Sequence, residues 1–237
     1  MIRVAIFLIL LIFSSCAQRI KVPINRFLSP EAIGKGAQVD YHKTGFSSGV
    51  LDFTGNSTSN PLIMGTSSDE EFYLGLGISN NADIFVRIPE ESSSMLGIKV
   101  QILGSPGKKP SAGNQLSFTL AMGNERDSFD QTFNIDLKSE VTDYSLVHGY
   151  RISPGMMIYD GISVSTYSFE GTIEGSTGLD SSTLDYRAKN IIGAHAGLMM
   201  GGQGFNLKLE YATQKIKWSN TDEKLLQFFG MALSVGW

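Results

Sequence analysis

Cysteine is nearly missing from this chain. Cys16 is the only one in 237 residues, so no disulfide can form within it. There is no excess of positive charge either. Nineteen Lys and Arg stand against 23 Asp and Glu, for a net charge of −4. The basic residues are dispersed and form no stripe that would hold nucleic acid. No metal-ligand cluster, phosphate-binding loop or internal repeat appears, so no cofactor is expected. Helical periodicity is absent over any long window. What is present is 42% hydrophobic residues, 26 glycines and many Ser, Thr and Asn, a mix that favours strands and turns. The length fits one domain, or at most two.

The first residues stand apart. Arg3 precedes an apolar run from Val4 to Phe13, then Ser14, Ser15 and Cys16. A positive start, a short apolar middle and a small-residue end mark a secretory signal peptide over residues 1–15. The run is too short to span a bilayer well as a helix. Cleavage after Ala17, with Ser15 and Ala17 as the small pair, is the alternative. Residues 16–33, with Pro23 and Pro30, read as a periplasmic N-terminal tether.

From about residue 34 to residue 237 the pattern has period two. Phe72, Leu74, Leu76 and Ile78 alternate with Tyr73, Gly75, Gly77 and Ser79. Asn80-Asn81 forms a tight turn, and Ala82, Ile84, Val86 and Ile88 resume the alternation. The same holds for Leu96–Leu103, Leu116–Gly123, Phe205–Ala212 and Phe228–Trp237. Tyr144–Ile152 fits only with His148 on its apolar face. Met157–Phe169 changes phase around Asp160, which suggests a bulge. Ten strands are expected, near 36–43, 71–79, 82–89, 95–103, 114–123, 143–152, 157–169, 189–199, 204–216 and 226–237, with eight to twelve possible. Gly49–Thr54 extends the first strand or belongs to the first loop. Tight turns alternate with longer polar connections, near 54–70, 124–140, 170–188 and 217–224. That pattern fits turns gathered on one side of a membrane. An even count would leave both termini on the periplasmic side and the longer loops outside.

A soluble sandwich also alternates, but its bulky face points into a dry core. Here one face is uniformly bulky. The other carries Gly, Ser and Ala with Asp83, Arg87, Lys99, Arg151, Lys208, Glu210 and His195. Lipid outside and a polar lumen inside explain that arrangement. The fold expected is all-β, a closed antiparallel transmembrane β-barrel. The hairpin Leu74–Ile88, the segments Leu96–Leu103 and His148–Pro154, and the ending Phe229-x-Met231-x-Leu233-x-Val235-x-Trp237 resemble bacterial outer-membrane β-barrel proteins. Ser14-Ser15-Cys16 resembles the lipobox of bacterial lipoproteins. The first resemblance implies an outer-membrane location, contact with its lipids, and a C-terminal signal (Phe229, Met231, Leu233, Val235, Trp237) presented to the barrel-assembly machinery. The second implies lipidation of Cys16.

Chemistry is harder to find. His195 and Glu210 share the lumen phase and could form an acid–base pair. Asp40 and His42 near the outer end of the first strand, with Asp69, Glu70 and Glu71 on the second, offer the residue types omptin proteases use, without an omptin motif. No nucleophile stands at a telling spacing. The inward charges would line a narrow solute path or form a salt-bridged plug. The aromatics Tyr41, Phe72, Tyr144, Tyr150, Phe205, Tyr211 and Trp237 carry the outward phase of an interfacial girdle. The expectation is a non-catalytic outer-membrane barrel with a structural or surface-interaction role. The alternatives are a narrow channel for small solutes or a membrane-embedded hydrolase. Ligand and oligomeric state are not readable.

Overall fold

The computed structural model describes residues 17–52, 62–90, 92–106, 111–130, 133–175, 182–202, 204–218 and 222–237. The signal-peptide residues, Cys16, Phe53 and Thr54 lie outside these. The described residues form eleven strands: β1 (Ala17–Pro23), β2 (Ala37–Asp52), β3 (Leu62–Gly77), β4 (Ala82–Pro89), β5 (Met95–Leu103), β6 (Gly113–Asp130), β7 (Phe133–Ser153), β8 (Met156–Gly175), β9 (Ser182–Gly202), β10 (Phe205–Ile216) and β11 (Lys224–Gly236).

From β2 to β11 each strand pairs antiparallel with the next, and β11 returns to β2 through Met231–Gly236 against Gln38–Lys43. The result is a closed ring of ten strands, β2 to β11, with β1 as an extra strand on β2. Closure pairs backbone groups that hydrocarbon could not satisfy. Asn80-Asn81 and Pro154-Gly155 turn the chain at one end of the ring, called here the turn end. The longest hairpins, β6–β7 and β8–β9, project from the other, the hairpin end.

Side chains obey the period of two. Leu96, Ile98 and Val100 are exposed on the outer wall, while Gln101 and Lys99 are buried within. Apolar residues, most of them bulky, dominate the outside of the ring at this level, the arrangement of a transmembrane barrel. Tyr41 meets Phe72 edge to face at 5.5 Å, and Tyr211 is paired with Phe229, towards the hairpin end. Tyr150, Phe205 and Trp237 are exposed towards the turn end. Along β7 the apolar band runs from Tyr144 to Ile152. At about 3.4 Å per residue that is about 27 Å along the strand, or about 21 Å upright at a tilt of about 40°.

Above the band the pattern inverts. The outward phase of β7 continues as Thr142, Glu140, Lys138 and Asp136, while Val141 and Leu137 are buried inside. Tyr167, Ala188 and Trp218 complete a small apolar core there, and Phe169 packs on Trp218 at 5.6 Å. The connections expected at 124–140 and 170–188 are therefore mostly strand. A polar exterior over an apolar interior is the rule in water, so the inversion marks where the wall leaves lipid. Across this extension, exposed ion pairs join Arg126 to Asp136 and Arg187 to Glu170. The hydrogen bond from Arg126 holds the Asp136 carboxyl below its ordinary range.

Three expectations need correction. Residues 17–33 are not a tether outside the barrel, because β1 pairs with β2 and the chain from Lys21 to Ile33 is buried. The two ends of the described chain are at opposite ends of the barrel. Ala17 pairs with Asp52 at the hairpin end, whereas Trp237 exchanges hydrogen bonds with Ala37 at the turn end. The even ring count said nothing of the extra strand. Finally, Asp160 keeps the outward phase, and the register of β8 against β9 shifts between Ser165 and Tyr167 instead.

Ile98→Arg, in the apolar band, is expected to lower the unfolding free energy in lipid vesicles by about 2–4 kcal/mol. Asn124→Arg, exposed in the extension, is expected to change it by less than about 0.5 kcal/mol. Denaturant titration of vesicle-inserted protein measures both.

Candidate functional site

The site is the lumen and what fills it. β1 occupies the edge of β2 from Phe46 to Asp52. The ring register, continued, would have brought Phe228 and its predecessors on β11 to that same edge. Instead β11 crosses over β2, and Phe228 lies against Gly45 so closely that a Cβ there would sit 2.0 Å from its ring. Only glycine permits the crossing. Ile24 N–H then donates to the Gly45 carbonyl at 2.7 Å, and Gly45 N–H donates to Asn25 Oδ1 at 3.0 Å. From there the chain runs through the lumen to Ala37 at the turn end.

Nothing in this segment is regular, so the wall must satisfy its backbone. Glu210 on β10 does most of this. Its two oxygens accept the Arg26 N–H at 2.8 Å and the Phe27 N–H at 2.9 Å, and Tyr159 OH donates to it at 3.3 Å. Phe27 has a φ of 50°, the left-handed region rare for a side chain of its size, and this turns both N–H groups onto one carboxylate. Its ring lies 4.7 Å from His42 and fills the space that Gly230 leaves open.

The other inward charges act on the same segment. Asp83 accepts the Ile33 N–H at 3.0 Å and pairs with Lys99 at 3.0 Å. Arg151 forms a two-pronged ion pair with Glu31. Lys208 donates to the Phe27 carbonyl at 3.1 Å and to Asp40 at 2.6 Å. Arg87 reaches the Asn25 carbonyl at 3.3 Å and grips Glu71 through Nε and Nη2 at 2.9 and 2.7 Å. Arg26 pairs with Asp143 and Ser165 on β7 and β8, at 3.1–3.2 Å. Sequence reasoning missed Arg26, Glu31 and Asp143. The signal was there, as two opposite charges five residues apart with no other charge between Val22 and Gly34.

Asp40, His42 and Glu71 do come together. His42 Nδ1 lies 2.9 Å from Glu71 and Nε2 3.5 Å from Asp40. All three are buried, and Arg87 and Lys208 saturate the carboxylates. No serine or other nucleophile contacts the imidazole among the described residues. His195 and Glu210 do not meet. His195 Nε2 has no hydrogen-bond partner among the described residues, and the ring lies beside Tyr159 at 6.2 Å. A recess at the turn end, between Arg151 and Lys208, is lined by Ser29, Glu31, Ala32 and Ile33 of the same segment. Among the described residues no group of three His, Cys, Asp or Glu side chains, the Asp40–His42–Glu71 cluster included, is arranged to hold a metal ion.

No protein-family model matches the chain, and no curated protein matches it. Among solved structures it is similar to Ail, the attachment invasion locus protein of Yersinia pestis. For Ail alone the TM-score is 0.39 at 11% identity, and for Ail with the heparin analogue sucrose octasulfate it is 0.41 at 9% identity. Each match covers 85% of this chain and 97% of the other.

Glu210→Ala leaves the Arg26 and Phe27 N–H groups unpaired, at about 1–3 kcal/mol each. The expected outcome is a barrel still shifted by heat on gels, whose N-terminal segment is cut by trypsin at Arg26. The wild-type chain is expected to resist cleavage there.

Proposed function

We propose that this chain is a self-plugged β-barrel of the bacterial outer membrane, acting at the cell surface through its β6–β9 extension, with neither solute passage nor catalysis. The observation that carries this reading is the filled lumen. Residues 21–33 are buried along it, and wall side chains from most of the ring strands, among them Arg87, Asp83, Gln101, Asp143, Arg151, Lys208 and Glu210, bond to them. The saturated Asp40–His42–Glu71 cluster supports the absence of hydrolysis.

The extension supports surface interaction. It presents paired charges on paired strands over a small core of its own. In this reading the hairpin end faces outside and Trp237 faces the periplasm. The outward residues of β11, Phe229, Met231, Leu233 and Val235, are exposed together with Trp237 and remain available to the barrel-assembly machinery during insertion. Cys16 carries lipid in this reading. Because the chain enters β1 at the hairpin end, the N-terminus would be outside in this reading.

Planar-bilayer recording tests the plug. Wild-type protein is expected to give no resolved openings, and the variant Glu210→Ala with Arg151→Ala is expected to open. Stable wild-type conductance would favour the narrow channel. A tag within 176–181 is expected to react with impermeant reagents on intact cells, whereas one after Trp237 is not.

A further inference from the structure

The outer wall carries one polar cluster where lipid should lie. His148 on β7 and Asp160 on β8 are register partners, with Nδ1 3.1 Å from the carboxylate. Asn114 on β6 stands 3.4 Å from His148 Nε2. All three face outward, and the His148 and Asp160 side chains are 48% and 67% exposed. The pair sits within the apolar band, not at its border. On β7, Tyr150 and Ile152 separate it from the turn, and Leu146 and Tyr144 separate it from the extension. On β8, Met156 and Ile158 lie below, and Ile162 and Val164 above. Ionisable groups at that depth of a lipid-facing wall are costly. Another exposed ion pair on the wall, Lys43–Glu70, lies one step beyond the Tyr41–Phe72 aromatics at the hairpin-end edge of the band, and the buried pairs Lys99–Asp83, Arg151–Glu31 and Lys208–Asp40 are inside the lumen.

Beside the pair the wall is shallow. Asp160 is paired with Ala196 and Ile162 with Ala194 on β9, and both alanines are exposed. Bulkier residues surround them, including Ile192, Leu198 and Tyr211. Small side chains let another backbone approach closely in a membrane.

We infer that the His148–Asp160–Asn114 cluster with Ala194 and Ala196 is the contact face of a membrane homodimer. The hydrogen-bonding groups choose the partner. A two-fold axis along the barrel direction, passing beside the β7–β8 pair, brings His148 of one copy against Asp160 of the other and the reverse. Acid and base are adjacent on one patch, so the patch is complementary to itself. Two such patches remove both His148–Asp160 pairs from acyl chains and unite them in a four-membered hydrogen-bond network, which neither lipid tails nor an apolar wall could supply.

The test uses the full chain inserted in lipid vesicles or held in detergent. Sedimentation in density-matched detergent is expected to give twice the protomer mass. The double variant His148→Leu with Asp160→Leu is expected to weaken the dimer at least tenfold while still showing the heat shift of a folded barrel. A wild-type monomer at all concentrations, or an equally strong dimer from the double variant, would overturn the proposal. Cross-linking decides independently, should the double variant fail to fold. In a Cys16→Ser background, Ala196→Cys is expected to form disulfide-linked pairs in vesicles, and Ile98→Cys, on another part of the wall, is not. Equal cross-linking at both positions, or none at Ala196, would refute the dimer face.

Discussion

Hydrocarbon accepts no hydrogen bonds, and every feature of this barrel answers that constraint. The ring must close, and β11 meets β2 over the six pairs from Met231 to Gly236 to close it. Yet β2 is longer than this contact, and its hairpin-end half needs a partner too. The chain supplies one from its own N-terminus. β1 takes the edge that β11 leaves, at the level where Gly45 lets Phe228 cross. The plug is therefore a consequence of how the ring is completed, not an ornament inside a finished cylinder.

Bringing an irregular segment into the lumen creates a second need of the same kind. Its peptide groups are away from water, and no ladder pairs them. The wall meets that need with ionised side chains, because a carboxylate can accept two N–H groups at once and a guanidinium several carbonyls. Glu210, Asp83 and Arg87 each bond to plug backbone and are also paired to, or in contact with, another polar group. Buried ion pairs alone add little stability, since desolvation offsets attraction. Here their value is positional, because removing one leaves both an unpaired charge and an unpaired peptide.

Much of the barrel was legible because lipid imposes a simple rule on sequence. Leu96–Leu103 reads as a strand with an apolar face since each outward residue meets acyl chains and each inward one is Gly, Lys or Gln. The extension obeys the opposite rule. Leu137 and Val141 point inward between Lys138 and Glu140, so a reader following the membrane phase loses the strand where the solvent changes. The plug was illegible for another reason. Phe27, Ala32 and Ile33 follow no period, and their partners lie 50 to 180 or more residues away, as with Glu210 and Asp83. Opposite charges at Arg26 and Glu31 were the only local hint. The His195–Glu210 pairing failed because sharing the lumen phase on neighbouring strands does not bring side chains together when a backbone claims one of them first.

His148 and Asp160 make the same point from outside the wall. In the lumen, acid and base meet because a buried chain needs them. On the lipid side no backbone needs them, since β7 and β8 are paired throughout this level. The alternation rule accommodated His148 only by placing it among leucines and tyrosines, and it read Asp160 as a break in phase. Both residues kept their phase, so the rule held and the surroundings are the exception. A polar pair that serves no internal bond, in a wall otherwise built to be inert, has its chemical reason in whatever lies against that wall. Acyl chains cannot supply that reason, and a surface carrying the same pair in reverse can.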